Sequence, residues 1–197
     1  MIQRAAPIDG KGFDKEVHVI FEEYGYMATA YLGMGISADE AKEIADASGN
    51  LKEYERKTVK YRDGITSLDE VTKAETVKRK FVYLTLEITN TKDAAALPQG
   101  NEICTLYSLN YLKEGENGIE PLDAYQDNGA LLGTEPVYFD GSMTENTDSH
   151  FFWATPEKGE TLTCHLGYLT DEDLLPYMYI NTSFDGAVNR LTDIRQK

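Results

Sequence analysis

The chain has 197 residues, with 19 Lys and Arg against 34 Asp and Glu, a formal charge of −15. The imbalance is uneven: residues 1–80 carry 13 basic against 15 acidic side chains, and residues 81–197 carry 6 against 19. Phosphate contacts need clustered Lys and Arg, so this surface excludes nucleic acid as a partner and repels anionic lipid headgroups, and no stretch approaches the roughly 20 apolar residues that span a bilayer.

Residues 1–15, with Pro7, Gly10 and Gly12, read as a flexible lead-in to one domain at 16–190, followed by a tail at 191–197. Val17 to Glu23 reads as a first strand, with Val17, Val19 and Phe21 alternating against His18 and Ile20. Residues 24–36, with Gly25, Gly33 and Gly35, take no assignment. Ser37-Ala38-Asp39-Glu40 is a capping box, because the Ser hydroxyl and the Glu side chain can satisfy each other's backbone amides. It predicts a helix from 37 to 48, stopped at Gly49-Asn50. The apolar face is only Ala38, Ala41, Ile44 and Ala45, so the helix is expected to be peripheral. Leu51 to Arg62 and Val71 to Lys80 read as charged edge strands joined at Asp63-Gly64.

The clearest strand signal is Phe81 to Thr89. Val82, Leu84, Leu86 and Ile88 fall on one side of an extended chain, and Tyr83, Thr85, Glu87 and Thr89 on the other, which gives one buried and one wet face. Further strands are expected at Ile103 to Leu112, Val137 to Phe139, Phe151 to Ala154, Thr161 to Tyr168 and Tyr177 to Phe184. Turn signals fall at Asn117-Gly118, Asp140-Gly141, Lys158-Gly159 and Asp185-Gly186. Lys113 to Glu135 reads as a long acidic loop. The fold class is therefore mainly β, an immunoglobulin-like sandwich of about seven strands with one peripheral α-helix in its N-terminal half.

Three features occur in order: Tyr83 to Ile88 closing on Thr89-Asn90-Thr91, then Thr155-Pro156-Glu157-Lys158-Gly159-Glu160 before the strand at 161, then Asp171-Glu172-Asp173. Together they resemble the uncharacterised immunoglobulin-like, telokin-like domains of bacterial surface lipoproteins. The resemblance covers about residues 80–184. It implies no catalytic residues. It implies export and a lipid anchor upstream of the sequence, so that the membrane is reached only through that anchor; Met1 to Ala6 itself lacks the apolar segment of a signal peptide.

Candidate chemistry is sparse. Cys104 and Cys164 lie 60 positions apart, in β-like segments that could meet across a sandwich as a disulfide, or stand as two buried thiols. Asp140, Ser142, Thr144, Asn146 and Asp148 place oxygen-bearing side chains at alternate positions. Asp140 and Asp148 are thus candidate ligands for calcium in what otherwise reads as a solvated loop without the central Gly and terminal Glu of an EF-hand. Tyr83, Tyr107 and Tyr111 are candidates for an exposed aromatic binding patch, and Trp153 is expected in the core. His18 and His165 read as packed or solvent-facing strand residues. The Asp148-Ser149-His150 run does not form a hydrolase triad, because neighbours on one strand do not converge, and no P-loop, dinucleotide or zinc-protease motif is present. The expected function is a non-catalytic extracellular module binding a protein or a glycan, with no cofactor. The alternatives are a divalent-cation-dependent effector or enzyme, and a cytosolic structural protein.

Overall fold

The structure, a computed structural model, describes residues 2–4, 15–24, 38–60, 70–91, 102–116, 118–122, 126–127, 130–131, 133–144, 150–182 and 191–195. Its elements are β1 (Ile2–Arg4), β2 (Lys15–Tyr24), α1 (Ala38–Ile44), β3 (Tyr54–Lys60), β4 (Glu70–Val77), β5 (Arg79–Asn90), β6 (Ile103–Thr105) and β7 (Leu109–Gly115). There follow β8 (Gly118–Pro121), β9 (Gln126–Asp127), β10 (Ala130–Leu131), β11 (Tyr138–Phe139), β12 (Phe152–Ala154), β13 (Thr161–Asp171), a 3-10 helix (Glu172–Tyr177), β14 (Met178–Asn181) and β15 (Leu191–Asp193). The protein is mainly β, with antiparallel sheets. No helix among the described residues is long and apolar enough to cross a membrane.

The alternation of β5 is realised in full: Val82, Leu84, Leu86 and Ile88 are wholly buried. Each such side chain removed from water is worth about 1.5–3 kcal/mol. β5 pairs with β13 over eleven positions, from Thr161↔Thr89 to Asp171↔Arg79. Cys164, Leu166 and Tyr168 therefore bury against Leu86, Leu84 and Val82 on the same face. β2 lies on the other side of β5, its register setting Val17, Val19 and Phe21 opposite Ile88, Leu86 and Leu84. With β1 and β11 at its edges, this is a five-stranded sheet in the order β1-β2-β5-β13-β11.

A four-stranded sheet, β15-β14-β7-β8, and the pair β12-β6 supply the rest of the core. Leu109, Tyr111, Met178 and Ile180 from the former, with Ile103, Phe152 and Ala154 from the latter, form one cluster with the inner face of β5 and β13. Leu174 and Leu175 of the 3-10 helix join it.

Four expectations change. The single strand predicted over Ile103 to Leu112 is two strands in different sheets. The chain turns at Leu106–Ser108, where Ser108 N–H donates to Leu106 C=O at 3.0 Å, and Tyr107 swings into the core. The helix ends at Ile44 because the Asp46 carboxylate captures the N–H groups of Ser48 and Asn50, at 2.8 and 2.9 Å, offering the backbone a turn in place of another helical turn. The acidic 113–135 region contains strand: β7 and β8 form a hairpin in which Gly115 pairs with Gly118, and β9 pairs with β10. Of the residues read as a tail, 191–193 form β15 paired with β14, and Ile194 is buried in the core. The Ser37 cap and the turns at Asp63-Gly64 and Asp185-Gly186 lie outside the described residues.

Two polar clamps hold peripheral pieces to the main sheet. Arg56 of β3 bonds Asp171 (2.9 Å), Asp173 (2.7 Å) and Glu75 (3.0 Å), and Tyr54 donates to Asp171 at 3.1 Å. These bonds fasten the β3–β4 hairpin to the end of β13, and Asp173, Glu75 and Asp171 together hold the guanidinium firmly protonated. At the other end of the sheet, the buried amide of Asn90 donates to Pro156 C=O at 2.8 Å. Asn90 N–H donates to Glu160 C=O and Gly159 N–H donates to Asn90 C=O, at 3.0 and 2.7 Å. Gly159 takes φ of 80°, a left-handed conformation that glycine adopts without cost. The Asn-Thr turn and the Thr155–Glu160 turn, 65 residues apart from Asn90 to Thr155, thus form one unit. Asn90→Ala leaves the Pro156 carbonyl without its donor and is expected to cost about 1–3 kcal/mol. Urea denaturation measures this, and an unchanged midpoint would show that the clamp carries no stability.

Candidate functional site

Three bulky residues in a row, Phe151-Phe152-Trp153, cannot all enter one core from a strand. The β12–β6 register sets Phe152 opposite Thr105, Trp153 opposite Cys104 and Ala154 opposite Ile103. Phe152 and Ala154 take the buried side, which turns Phe151, Trp153 and Cys104 outward. Trp153 is therefore not the core residue expected from its aromatic neighbours. Phe151 is 51% exposed and Trp153 39%, and Met143, whose N–H donates to Trp153 C=O at 2.7 Å, is 65% exposed. All three are large apolar side chains left exposed on β12 and the segment bonded to it.

That segment is sewn to β12. Trp153 N–H donates to Ser142 Oγ at 2.8 Å, and Thr144 Oγ1 donates to Phe151 C=O at 2.6 Å. The open edge of β12 is thereby closed, and Ser142 and Thr144 have spent their hydroxyls on the backbone. Asp140 is likewise engaged. Its Oδ1 accepts from His165 N–H at 2.7 Å, its Oδ2 from Tyr138 Oη at 3.1 Å, and both oxygens lie within 3.0 Å of His165 Nδ1. A carboxylate at that distance keeps the imidazole proton on Nδ1. Of the alternating oxygen-bearing residues, Asp140, Ser142 and Thr144 thus spend their oxygens on bonds within the chain. Asp140 serves His165 and Tyr138, and no group of three metal-binding side chains occurs among the described residues. Asp148 lies outside the described residues.

The aromatic patch is redrawn in the same way. Tyr107 and Tyr111 are core residues, each 1% exposed: Tyr107 lies in the turn between β6 and β7, and Tyr111 on β7 packs into the shared core. The Tyr111 hydroxyl is satisfied by Thr134 and Thr170 at 2.9 and 2.7 Å. Only Tyr83 stays on the outer face, with partners the sequence did not suggest. Its ring stacks on His165 (centroids 5.3 Å, planes 13° apart) and on Tyr138 (6.3 Å, 26°). Gly167 makes room for this group: a Cβ there would lie 2.5 Å from Cζ of the buried Phe81 and 3.2 Å from Cβ of Tyr138. The His165 ring makes no side-chain hydrogen bond except to Asp140 among the described residues. The pair therefore has the orienting half of a catalytic dyad, with no nucleophile bonded to it among the described residues.

Beside the 140–144 segment lies a groove of about 320 Å³ lined by Gly141, Met143, Ala154, Pro156, Glu160 and Leu162. It opens between the start of β13 and the end of β12.

The cysteines do not pair. Cys104 is exposed on β6, whereas Cys164 is buried on the inner face of β13, so the two side chains point to different environments. Burial pushes the Cys164 thiol up to about 12 from 9.0. The folded chain holds this proton more tightly than the unfolded chain does, so its stabilising contribution is complete below pH 9.0 and is lost as pH rises toward about 12. Since the thiolate is the nucleophile, native alkylation at mildly alkaline pH is expected to label Cys104 alone, and denaturation to expose both. Intact mass reads this out; two labels under native conditions would contradict the burial of Cys164, and none after denaturation would restore the disulfide.

Comparison with known proteins finds no family model, no curated protein and no solved structure that matches this chain.

Proposed function

We propose that this chain is a non-catalytic binding module of immunoglobulin-like sandwich architecture, displayed outside a bacterial cell as part of a lipid-anchored surface protein. The observation that carries the binding reading is the outward set Met143, Phe151 and Trp153. Exposed tryptophan and methionine are costly to solvate and are enriched where proteins meet partners. Here they sit on a strand and segment held rigid by Ser142 and Thr144, so little conformational entropy opposes binding. The architecture is supported by the one core shared between the five-stranded sheet and the strands facing it. Its resemblance to the lipoprotein domains is supported by the contact between Asn90 and the Pro156 turn, two of the features on which it rests. The ligand class is a protein or a glycan, and the acidic surface disfavours polyanions.

One observation favours another reading, a cytosolic structural protein. Both thiols are free, as a reducing compartment keeps them. Fractionation of cells that express the native gene separates the two locations.

Trp153 is the only tryptophan in the chain, so its emission reports directly on the proposed surface. Titration with soluble cell-wall fragments, glycans and purified envelope proteins is expected to give a saturable change in that emission with one class. Trp153→Ala is expected to weaken the same binding by about 2 kcal/mol or more with little change in thermal midpoint. A ligand that stabilises the protein while leaving Trp153 emission untouched would move the binding surface elsewhere.

A further inference from the structure

The pairing of β13 leaves part of one edge open. Its ladder with β5 uses the even-numbered residues, as shown at its two ends by Asn90 N–H donating to Glu160 C=O and Glu172 N–H donating to Lys78 C=O. The odd-numbered residues therefore turn their backbone groups to the other side. There Val137 N–H donates to Gly167 C=O at 2.8 Å and Asp140 N–H to His165 C=O at 3.1 Å, and Asp140 Oδ1 takes His165 N–H. β11 is only two residues long and pairs no further than Leu166 and Gly167, and Asp140 covers His165. The next odd residues, Thr163 and Thr161, are exposed, and their backbone N–H and C=O groups on this edge take no partner among the described residues.

The groove lies alongside this stretch. Gly141 packs against its upper end, since a Cβ on Gly141 would lie 3.1 Å from Thr163 C=O, so the open run is the Thr163 N–H and the backbone groups of Thr161. Beyond Gly141 the floor is Ala154, Pro156 and Leu162, with Met143 and Glu160 at the rim. A strand laid along Thr161–Thr163 would send alternate side chains to opposite faces. One set would enter the groove against Leu162, Ala154 and Met143. The other would lie over the outer face, where Glu87 is exposed opposite Thr163 and Asp140 stands beside His165. Both faces of the slot carry acidic charge, and residues 81–197 hold only 6 basic residues against 19 acidic.

We infer, on the binding reading above, that the open edge of β13 at Thr161 and Thr163 is a strand-addition site for an extended polypeptide segment of alternating apolar and basic residues. Main-chain hydrogen bonds to Thr161 and Thr163 supply the docking, the groove receives the apolar side chains, and Glu160 and Glu87 select for cationic ones. Met143, which lines the groove, contacts the flank of the same partner and links it to the backbone of Trp153.

The test uses the full chain and a synthetic hexapeptide of alternating lysine and valine, with amide hydrogen exchange read by NMR. Saturable binding is expected, with protection of the Thr161 and Thr163 amides. A peptide N-methylated on the residues facing β13 is expected to bind at least about tenfold more weakly, because it cannot form the main-chain bonds. Glu160→Gln keeps the acceptor for Glu157 N–H while removing the charge, so it is expected to weaken binding at low salt and not at high salt. No binding by the hexapeptide, binding that leaves the two amides unprotected, or equal affinity for the N-methylated peptide each overturns strand addition. A ligand that moves Trp153 emission while Thr161 and Thr163 stay unprotected removes this inference and leaves the binding module standing. Protection of the two amides without any change at Trp153 keeps strand addition and removes the link to Trp153.

Discussion

The pairing of β5 with β13 is the constraint on which the rest depends. Side chains on a strand repeat every two residues, so a slip of one would exchange Val82, Leu84, Leu86 and Ile88 for Tyr83, Thr85, Glu87 and Thr89 at the core face. That exchange would bury the Glu87 carboxylate and expose four large apolar side chains, a penalty of many kcal/mol by any area or charge accounting. The register is therefore fixed by chemistry that is local to two segments. It sets Gly167 beside Tyr83 and under Phe81, carries Asn90 to the Pro156 turn, and brings Asp171 to Arg56.

The same register shapes the surface. Because even residues of β13 are spent on β5, odd ones must find partners elsewhere, and β11 with Asp140 reaches only as far as His165. On β12 the equivalent problem is solved within the chain, where Ser142 and Met143 close the edge. One edge closed and its neighbour open, with a groove between them, is an asymmetric arrangement. Unprotected edges invite pairing, and here the acidic faces on either side discourage self-association of a chain with charge −15. The charge that makes the protein a poor partner for nucleic acid thus also restricts what can add to its sheet.

Much of this was legible in the residues, and the losses have physical causes. β5 and β13 read cleanly because one of their faces is wet, which leaves a period of two in the text. The turns at Asn117-Gly118, Asp140-Gly141 and Lys158-Gly159 were visible because Gly118, Gly141 and Gly159 adopt left-handed φ, and few residues but glycine do so. The break at Leu106–Ser108 is not legible: no Gly or Pro marks it within Ile103 to Leu112, and the turn and the change of sheet partner that separate β6 from β7 leave no such signal. Parity along a continuous Ile103–Leu112 strand puts Tyr107 and Tyr111 on a wet face, and the chain breaks that strand at Leu106–Ser108. Trp153 was placed inside because aromatic runs suggest cores; the better signal was the small Ala154, which shares the inward parity with Phe152. The bonds that engage Asp140 are not legible in the residues, because composition shows how many oxygens a loop owns and not which hydrogen bonds already use them.

The account stands or falls on the β5–β13 register and on the direction of its hydrogen bonds. Native-state amide exchange of the free protein, followed residue by residue by NMR, tests both at once. The account predicts alternation at the start of β13: slow exchange at Leu162 and Cys164, whose amides face β5, and fast exchange at Thr161 and Thr163, whose amides face the open edge. Slow exchange at Thr161 and Thr163 with fast exchange at Leu162 and Cys164, or uniform protection across all four, would contradict it.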